Sequence, residues 1–125
     1  MADDFSSVFA ALKPVLAHCA ERLSVKTDTP AGYVLDTRTP SPFPQHKGHP
    51  LFFGALRLGK AYVSVHLMPL YMCPKLNQSI SPMLKKRMQG KTCFNFKAVP
   101  EKSLLAELDQ LAQACLEDWS GRRWL

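Results

Sequence analysis

Apolar residues near the start of the chain recur at steps of three and four positions, which is typical of one buried stripe on an amphipathic helix. Asp3 or Asp4 is placed to cap the start of this helix. Pro14 falls inside the pattern and predicts a kink, or a break near Leu12, because its ring removes a backbone donor. The stripe consists of Phe5, Val8, Phe9, Leu12, Val15, Leu16, Cys19, Ala20 and Leu23.

A second apolar stripe of helical spacing lies near the end of the chain. Pro100 and Glu101 are placed to open this helix, and Ser120 with Gly121 to end it. We therefore expect a single domain over residues 1–121 and a short tail over residues 122–125. The stripe consists of Leu104, Leu105, Leu108, Leu111, Ala112, Cys115 and Trp119.

Strand patterns and turn residues fill the region between the two helices. Leu58 and Gly59 predict a tight turn, with Gly59 supplying a positive φ. Ser81 reads as the N-cap of a short helix that Gly90 ends in the left-handed conformation. The predicted strands cover residues 23–26, 33–35, 51–56, 61–67 and 92–97.

These elements predict an α+β fold of two layers. Short connections favour antiparallel pairing, so the strands should form one antiparallel sheet of about five strands. Each terminal helix needs an apolar surface to cover, and one face of the sheet provides it. We therefore expect the N- and C-terminal helices on one face, and a short helix before the last strand.

A proline-rich segment, residues 39–50, interrupts the strand patterns. No regular element fits it, and such a loop is either a functional lid or a mobile surface segment. His46 and His49 could ligate a metal, but this loop does not fix their geometry. No carboxylate lies between Asp36 and Glu101 to complete a site, so we predict no metal site.

Charge is distributed unevenly along the chain, whose formal net charge is +6. Between Asp36 and Glu101 there is no acidic residue, whereas many Lys and Arg residues occur there. This cationic middle favours an anionic partner. No apolar run approaches the roughly 18 residues of a membrane-spanning helix. The acidic start, residues 1–4, lacks the positive charge of a secretory signal, so we expect a cytoplasmic protein with four reduced cysteines and no cofactor.

Three segments together resemble a known family: FFG at residues 52–54, KAYVSVHLMP at 60–69 and ISPMLKKRMQGKTCFNF at 80–96. They are similar to the YdhG-like domain-of-unknown-function family of small bacterial proteins, and weaker flanking similarity extends over most of the chain. The resemblance implies an α+β fold and no assigned reaction. Because some relatives are discussed as frataxin-like, it also implies iron chaperoning as an alternative function.

The predicted strands place polar side chains on one sheet face. Tyr62, Ser64 and His66 alternate along one strand, and Cys93, Asn95 and Lys97 along another. If these strands are neighbours, their side chains line a cleft; otherwise they form an exposed sheet face. With Arg57, the ligand-binding set that we predict is Arg57, Tyr62, Ser64, His66, Asn95 and Lys97.

A basic cluster precedes the last strand and consists of Lys85, Lys86, Arg87 and Lys91. It is either a contact for phosphates, including those of nucleic acid, or a solvated helix end where positive charge is favourable. Aromatic residues occur nearby, but the sequence contains no RNP-like motif.

Catalytic chemistry has the weakest basis in the sequence. Cys73 and His66 could form a nucleophile and a base, but nothing local orients the histidine. We predict a non-catalytic binding domain for an anionic small molecule, a peptide or a protein partner on the sheet face. Sequence-independent nucleic-acid binding through residues 85–97 is the alternative. The ligand's identity and the oligomeric state stay open.

Overall fold

A computed structural model describes residues 4–90 and 92–124, without the side chain of His46. Asp3 and Lys91, which the sequence singled out, lie outside the described residues. The α-helices of the described part are α1 Phe5–Ala17, α2 Pro69–Met72, α3 Pro74–Gln78, α4 Pro82–Lys85 and α5 Lys102–Gly121. Ala20–Arg22 and Pro44–His46 form 3₁₀-helices, so the expectation of no regular element within residues 39–50 is wrong. The strands are β1 Ser24–Thr29, β2 Gly32–Pro40, β3 Pro50–Leu58, β4 Val63–Leu67, β5 Met88–Gln89 and β6 Cys93–Phe96.

The described strands form one antiparallel sheet in the order β1-β2-β3-β4-β6-β5. The predicted α+β fold is confirmed, with six strands in the described part where about five were expected. The additional strand is β5, which the sequence had assigned to the end of the short helix. Met88 pairs with Phe94 and Gln89 with Cys93, so backbone pairing to β6 replaces the last helical turn.

Both terminal helices cover the same face of the sheet, as predicted. Helix α1 packs on β3 and β4 and lies beside α5. Leu16 of α1 approaches Gly54 of β3, and Trp119 of α5 contacts the ring of Phe53, the neighbouring residue. The side chains predicted to be buried between the two layers are buried: Phe9, Leu12, Leu16, Leu108, Leu111 and Cys115.

Helix α1 begins at its predicted cap, because the Asp4 carboxylate accepts a hydrogen bond of 2.7 Å from the Ser7 backbone N–H. The predicted break near Leu12 is wrong, since the helix continues through Pro14. Pro14 is exposed, while Leu12 and Val15 beside it are buried in the core. Burial of this apolar face holds the helix together despite the missing backbone donor.

The turn between β3 and β4 differs from the predicted one. The strands end at Leu58 and resume at Val63, and the Gly59 N–H donates to the Tyr62 carbonyl at 3.0 Å. Gly59 does not have a positive φ; Gly90 does, at 78°, but it follows β5 and not a helix. Glycine suits position 59 because a Cβ there would lie 2.9 Å from the Tyr62 carbonyl oxygen.

Three short helices lie between β4 and β5, where one was expected. Pro69, Pro74 and Pro82 each begin one of them, because proline is tolerated in the first helical turn. Ser81 caps α4 as predicted, accepting a hydrogen bond of 3.2 Å from the Leu84 N–H. No helix in residues 4–90 and 92–124 is both long and apolar enough to cross a membrane.

The proline-rich segment is tied to the end of the chain by a row of aromatic rings. Phe43 contacts Trp124 with ring centroids 5.4 Å apart, and Trp124 contacts Trp119 at 5.7 Å. Trp119 in turn contacts Phe53 of the sheet at 5.5 Å. These edge-to-face contacts link the segment after β2, the residues after α5 and the core.

Candidate functional site

The face of the sheet that α1 and α5 leave uncovered carries two rows of side chains across β3, β4 and β6. In one row, Arg57 pairs with Ser64, and Ser64 pairs with Asn95. In the next row, Ala55 pairs with His66, and His66 with Cys93. Residues paired across neighbouring strands point to the same face. The two strands that carry the predicted polar residues are therefore neighbours; we call these two rows the polar face.

A hydrogen-bond network fixes the side chain of Asn95. Its Oδ1 accepts from Ser64 Oγ at 2.9 Å and from Cys93 Sγ at 3.3 Å. Its Nδ2 donates to Gln89 Oε1 at 2.8 Å. Gln89 was absent from the predicted site, because no local pattern indicated that residue 89 lies in a strand. The network orients four polar groups before any ligand arrives.

Arg57 supplies the positive charge of the polar face. Its side chain is exposed and forms no ion pair with the residues that the structure describes. His66 is half-buried, and burial lowers its pKa below the usual 6.5, with a further contribution from the charge of Arg57. His66 is therefore neutral at pH 7, able to donate one hydrogen bond and accept another. Neither row contains an acidic residue.

Cys93 is a protonated thiol in this arrangement. Burial raises its pKa above the usual value, and the hydrogen bond with Ser64 offsets that rise only in part. A thiol with a raised pKa is a poor nucleophile. Cys93 thus contributes to the polar face as a weak donor to Asn95.

Two of the predicted site residues lie at the margin of the polar face. Tyr62 immediately precedes β4 and is half-buried, whereas Lys97 immediately follows β6 and is exposed. Both lie one residue beyond the last strand pair, Val63 with Phe96. They border the site at the end where β4 begins and β6 ends.

A cleft lies elsewhere, at the end of the sheet where β3 begins and β4 ends. Its volume is about 480 Å³. The proline-rich segment forms one side of it, and α2 forms another. This cleft was not predicted from the sequence, because its lining residues come from separate parts of the chain. Its lining residues are Gln45, Lys47, His49, Pro50, Leu51, Phe52, Met68, Tyr71 and Met72.

The basic cluster lies at the corner between α4 and β5. Lys85, Lys86 and Arg87 are exposed, and none of them forms an ion pair within the described part of the chain. The Asn95 N–H donates to the Arg87 carbonyl at 2.7 Å, which places Arg87 beside the β6 end of the polar face. Lys91 lies outside the described residues.

Two other chemistries that were considered from the sequence, a metal site and a nucleophile–base pair, can be compared with the structure. No group of three His, Cys, Asp or Glu side chains that could hold a metal occurs among the described residues. His66 is on β4, while Cys73 is half-buried between α2 and α3, and the hydrogen bonds of the described residues do not join the two. The structure therefore provides no nucleophile–base pair from these residues.

Comparison of the chain with protein-family models, curated proteins and solved structures gave no match. The resemblance to the YdhG-like family accordingly stays a prediction from the sequence.

Proposed function

We propose that the protein is a non-catalytic binding protein for a small anionic molecule, which it holds on the polar face. The observation that carries this proposal is the row of Arg57, Ser64 and Asn95 on three neighbouring strands. An exposed guanidinium offers several donors in a planar fork that matches carboxylate or phosphate groups. Ser64 and Asn95 lie in the same row, already oriented by the network with Gln89.

The geometry favours binding over catalysis. His66 has no carboxylate paired with it in its row, so nothing of the kind that orients a catalytic base is present there. The only thiol of the two rows, Cys93, has a raised pKa. An acidic peptide or protein segment presents the same carboxylate chemistry as a small anion, and is the other partner that we propose for this face.

We further propose a cytoplasmic location. All four cysteines are unpaired thiols, and reduced thiols are the default in the cytosol. The frataxin-like alternative, iron delivery, gains no support from the side chains of the described residues.

The test is a titration with inorganic phosphate and with citrate, in which backbone amide NMR signals monitor binding. We expect saturable shifts at Arg57, Ser64, His66 and Asn95. Arg57→Gln should weaken binding about tenfold, as expected when a charged hydrogen-bonding group is lost. Lys102→Gln, which removes the same charge from the exposed start of α5, is the matched control and should bind like the wild type.

Nucleic-acid binding is the second candidate, because the basic cluster presents three consecutive exposed cations without ion-pair partners in the described part. Under our proposal, replacing Lys85, Lys86 and Arg87 by alanine leaves phosphate and citrate binding unchanged. The measurement that decides is the affinity for a single-stranded oligonucleotide at low and moderate salt. Tight binding that falls steeply with salt, and that only the triple variant abolishes, would favour the second candidate.

A further inference from the structure

We propose that the cleft where β3 begins and β4 ends binds an amphipathic anion, an apolar molecule that carries one carboxylate. This site is separate from the polar face, because Arg57, Ser64, His66 and Asn95 do not line it. Its volume of about 480 Å³ is within the range of clefts that hold small organic ligands.

The part of the cleft lining that β3, α2 and Met68 form, which we call the wall, is apolar and adaptable. Phe52 and Tyr71 contribute aromatic rings, and Met68 and Met72 contribute thioether side chains. Tyr71 is 65% exposed. Methionine side chains are flexible and polarizable, so they can adjust to apolar ligands of different shapes. An apolar ligand body would remove this surface from water.

The side of the cleft that the proline-rich segment forms, which we call the rim, carries one cation among its described residues, Lys47. Lys47 and His49 line it from the proline-rich segment, and of the described residues that line the cleft none is acidic. Lys47 is exposed and forms no ion pair with the part of the chain that the structure describes. A carboxylate at the rim would meet this charge while its apolar part contacts the wall. Charge complementarity therefore selects an anion over a neutral apolar ligand.

The rim is held in place by the protein itself. The Ser41 N–H donates to the His49 carbonyl at 2.9 Å, and the Lys47 N–H donates to the Pro44 carbonyl at 3.1 Å. Phe43 anchors the same segment on Trp124. A rim fixed in this way reduces the ordering that a ligand would have to impose, which favours binding.

The test uses decanoate as the anionic probe and decanol as its uncharged counterpart, both below their aggregation limits. Binding is followed by the methyl NMR signals of the methionines. We expect saturable shifts at Met68 and Met72 with decanoate, and none at Met83, which is exposed on α4. Decanol should bind about fivefold more weakly, the ratio expected for one exposed charge pair.

Lys47→Asn removes the charge while keeping a residue that tolerates the left-handed backbone of position 47, where φ is 50°. It should reduce decanoate binding to the level of decanol and leave decanol binding unchanged. Lys60→Asn, in the turn after β3 at the opposite end of that strand, is the matched control and should have no effect.

Equal affinity for decanoate and decanol, or equal effects of the two lysine variants, would overturn the proposal. So would equal shifts at Met83, which would indicate unspecific adsorption. Arg57→Gln should leave decanoate binding unchanged, so a failure of this proposal is distinguishable from a failure of the proposed function.

Discussion

Among the glycines of the chain, Gly54 is the one at which an added Cβ would make the shortest contact. It follows a bulge in β3, where Leu35 of β2 pairs with Gly54 but Asp36 pairs with Phe52, so that Phe53 is the extra residue. A Cβ at position 54 would lie 2.8 Å from the His66 carbonyl oxygen and 3.4 Å from Leu16 Cδ2. The close pairing of β3 with β4 thus depends on glycine here, whereas the contact with Leu16 would be an ordinary one.

Gly54→Ala should lower the free energy of unfolding by about 2 kcal/mol, because backbone atoms of β4 would have to move. Urea denaturation measures the change. Gly121→Ala is the control, since a Cβ at the end of α5 meets nothing within 4 Å and alanine favours the helix. An unchanged stability in Gly54→Ala would show that β3 and β4 are not packed this closely.

His66 should make stability depend on pH. Its pKa in the folded protein is lowered from 6.5 by burial and by Arg57. As the pH falls through 6.5, the unfolded chain takes up the proton before the folded protein does, so the free energy of unfolding decreases until the folded pKa is passed. Urea denaturation between about pH 8 and pH 5 should therefore show a smaller loss of stability in His66→Gln than in the wild type.

A pH titration of His66 tests the role of Arg57. Arg57→Gln should raise the pKa of His66, because a positive charge that lowers this pKa is removed. The imidazole NMR signals of His66 measure the change. Lys102→Gln should not change this pKa. A His66 pKa at or above 6.5 in the wild type would contradict both the burial of His66 and the effect of the Arg57 charge.

At the scale of elements, one carboxylate joins the short helices to α5. Glu107 accepts hydrogen bonds from the Ser81 backbone N–H at 2.9 Å and from the Ser81 hydroxyl at 2.6 Å. The same hydroxyl oxygen accepts from the Leu84 N–H and so caps α4. A helix of only four residues is not stable alone, and this tertiary contact fixes its start.

Glu107→Ala should lower the free energy of unfolding by about 2 kcal/mol, since two charge-assisted hydrogen bonds are lost at a half-buried site. Glu117→Ala on the same helix is the matched control. Glu117 is 71% exposed and pairs with Arg22, so about 0.5 kcal/mol or less is expected there. Thermal or urea unfolding measures both variants. An equal decrease in the free energy of unfolding for Glu107→Ala and Glu117→Ala would show that Glu107 acts only through general helix electrostatics.

At the scale of the whole molecule, a row of aromatic rings joins the proline-rich segment to the residues after α5 and to the core: Phe43, Trp124, Trp119 and Phe53. Thr39 adds a hydrogen bond from its hydroxyl to the Trp124 carbonyl at 3.1 Å. The position of the proline-rich segment therefore depends on contacts with residues more than 80 positions away in the chain. Its anchoring supports the rim of the cleft.

Trp124→Ala should lower the free energy of unfolding by about 2 kcal/mol, because two aromatic contacts and their buried area are lost. It should also speed proteolytic cleavage within residues 41–49. Met83→Ala, which shortens a side chain that is 53% exposed, should change neither property. Unchanged proteolysis in Trp124→Ala would mean that Phe43 does not need Trp124 to hold the segment.

The sequence by itself determined the fold class, the two terminal helices and the buried stripes of Leu12 and Leu108, because burial repeats at local spacings. It also determined the alternation that places Ser64 and Asn95 on one face, since side chains of a strand alternate. Tertiary structure decided that β4 and β6 are neighbours, which is a long-range pairing. It also decided the strand at Met88–Gln89 and the bulge at Phe53, which pairing with β6 and β2 creates. The cleft could be recognised only in the folded chain, because its lining residues come from segments that no local sequence pattern connects.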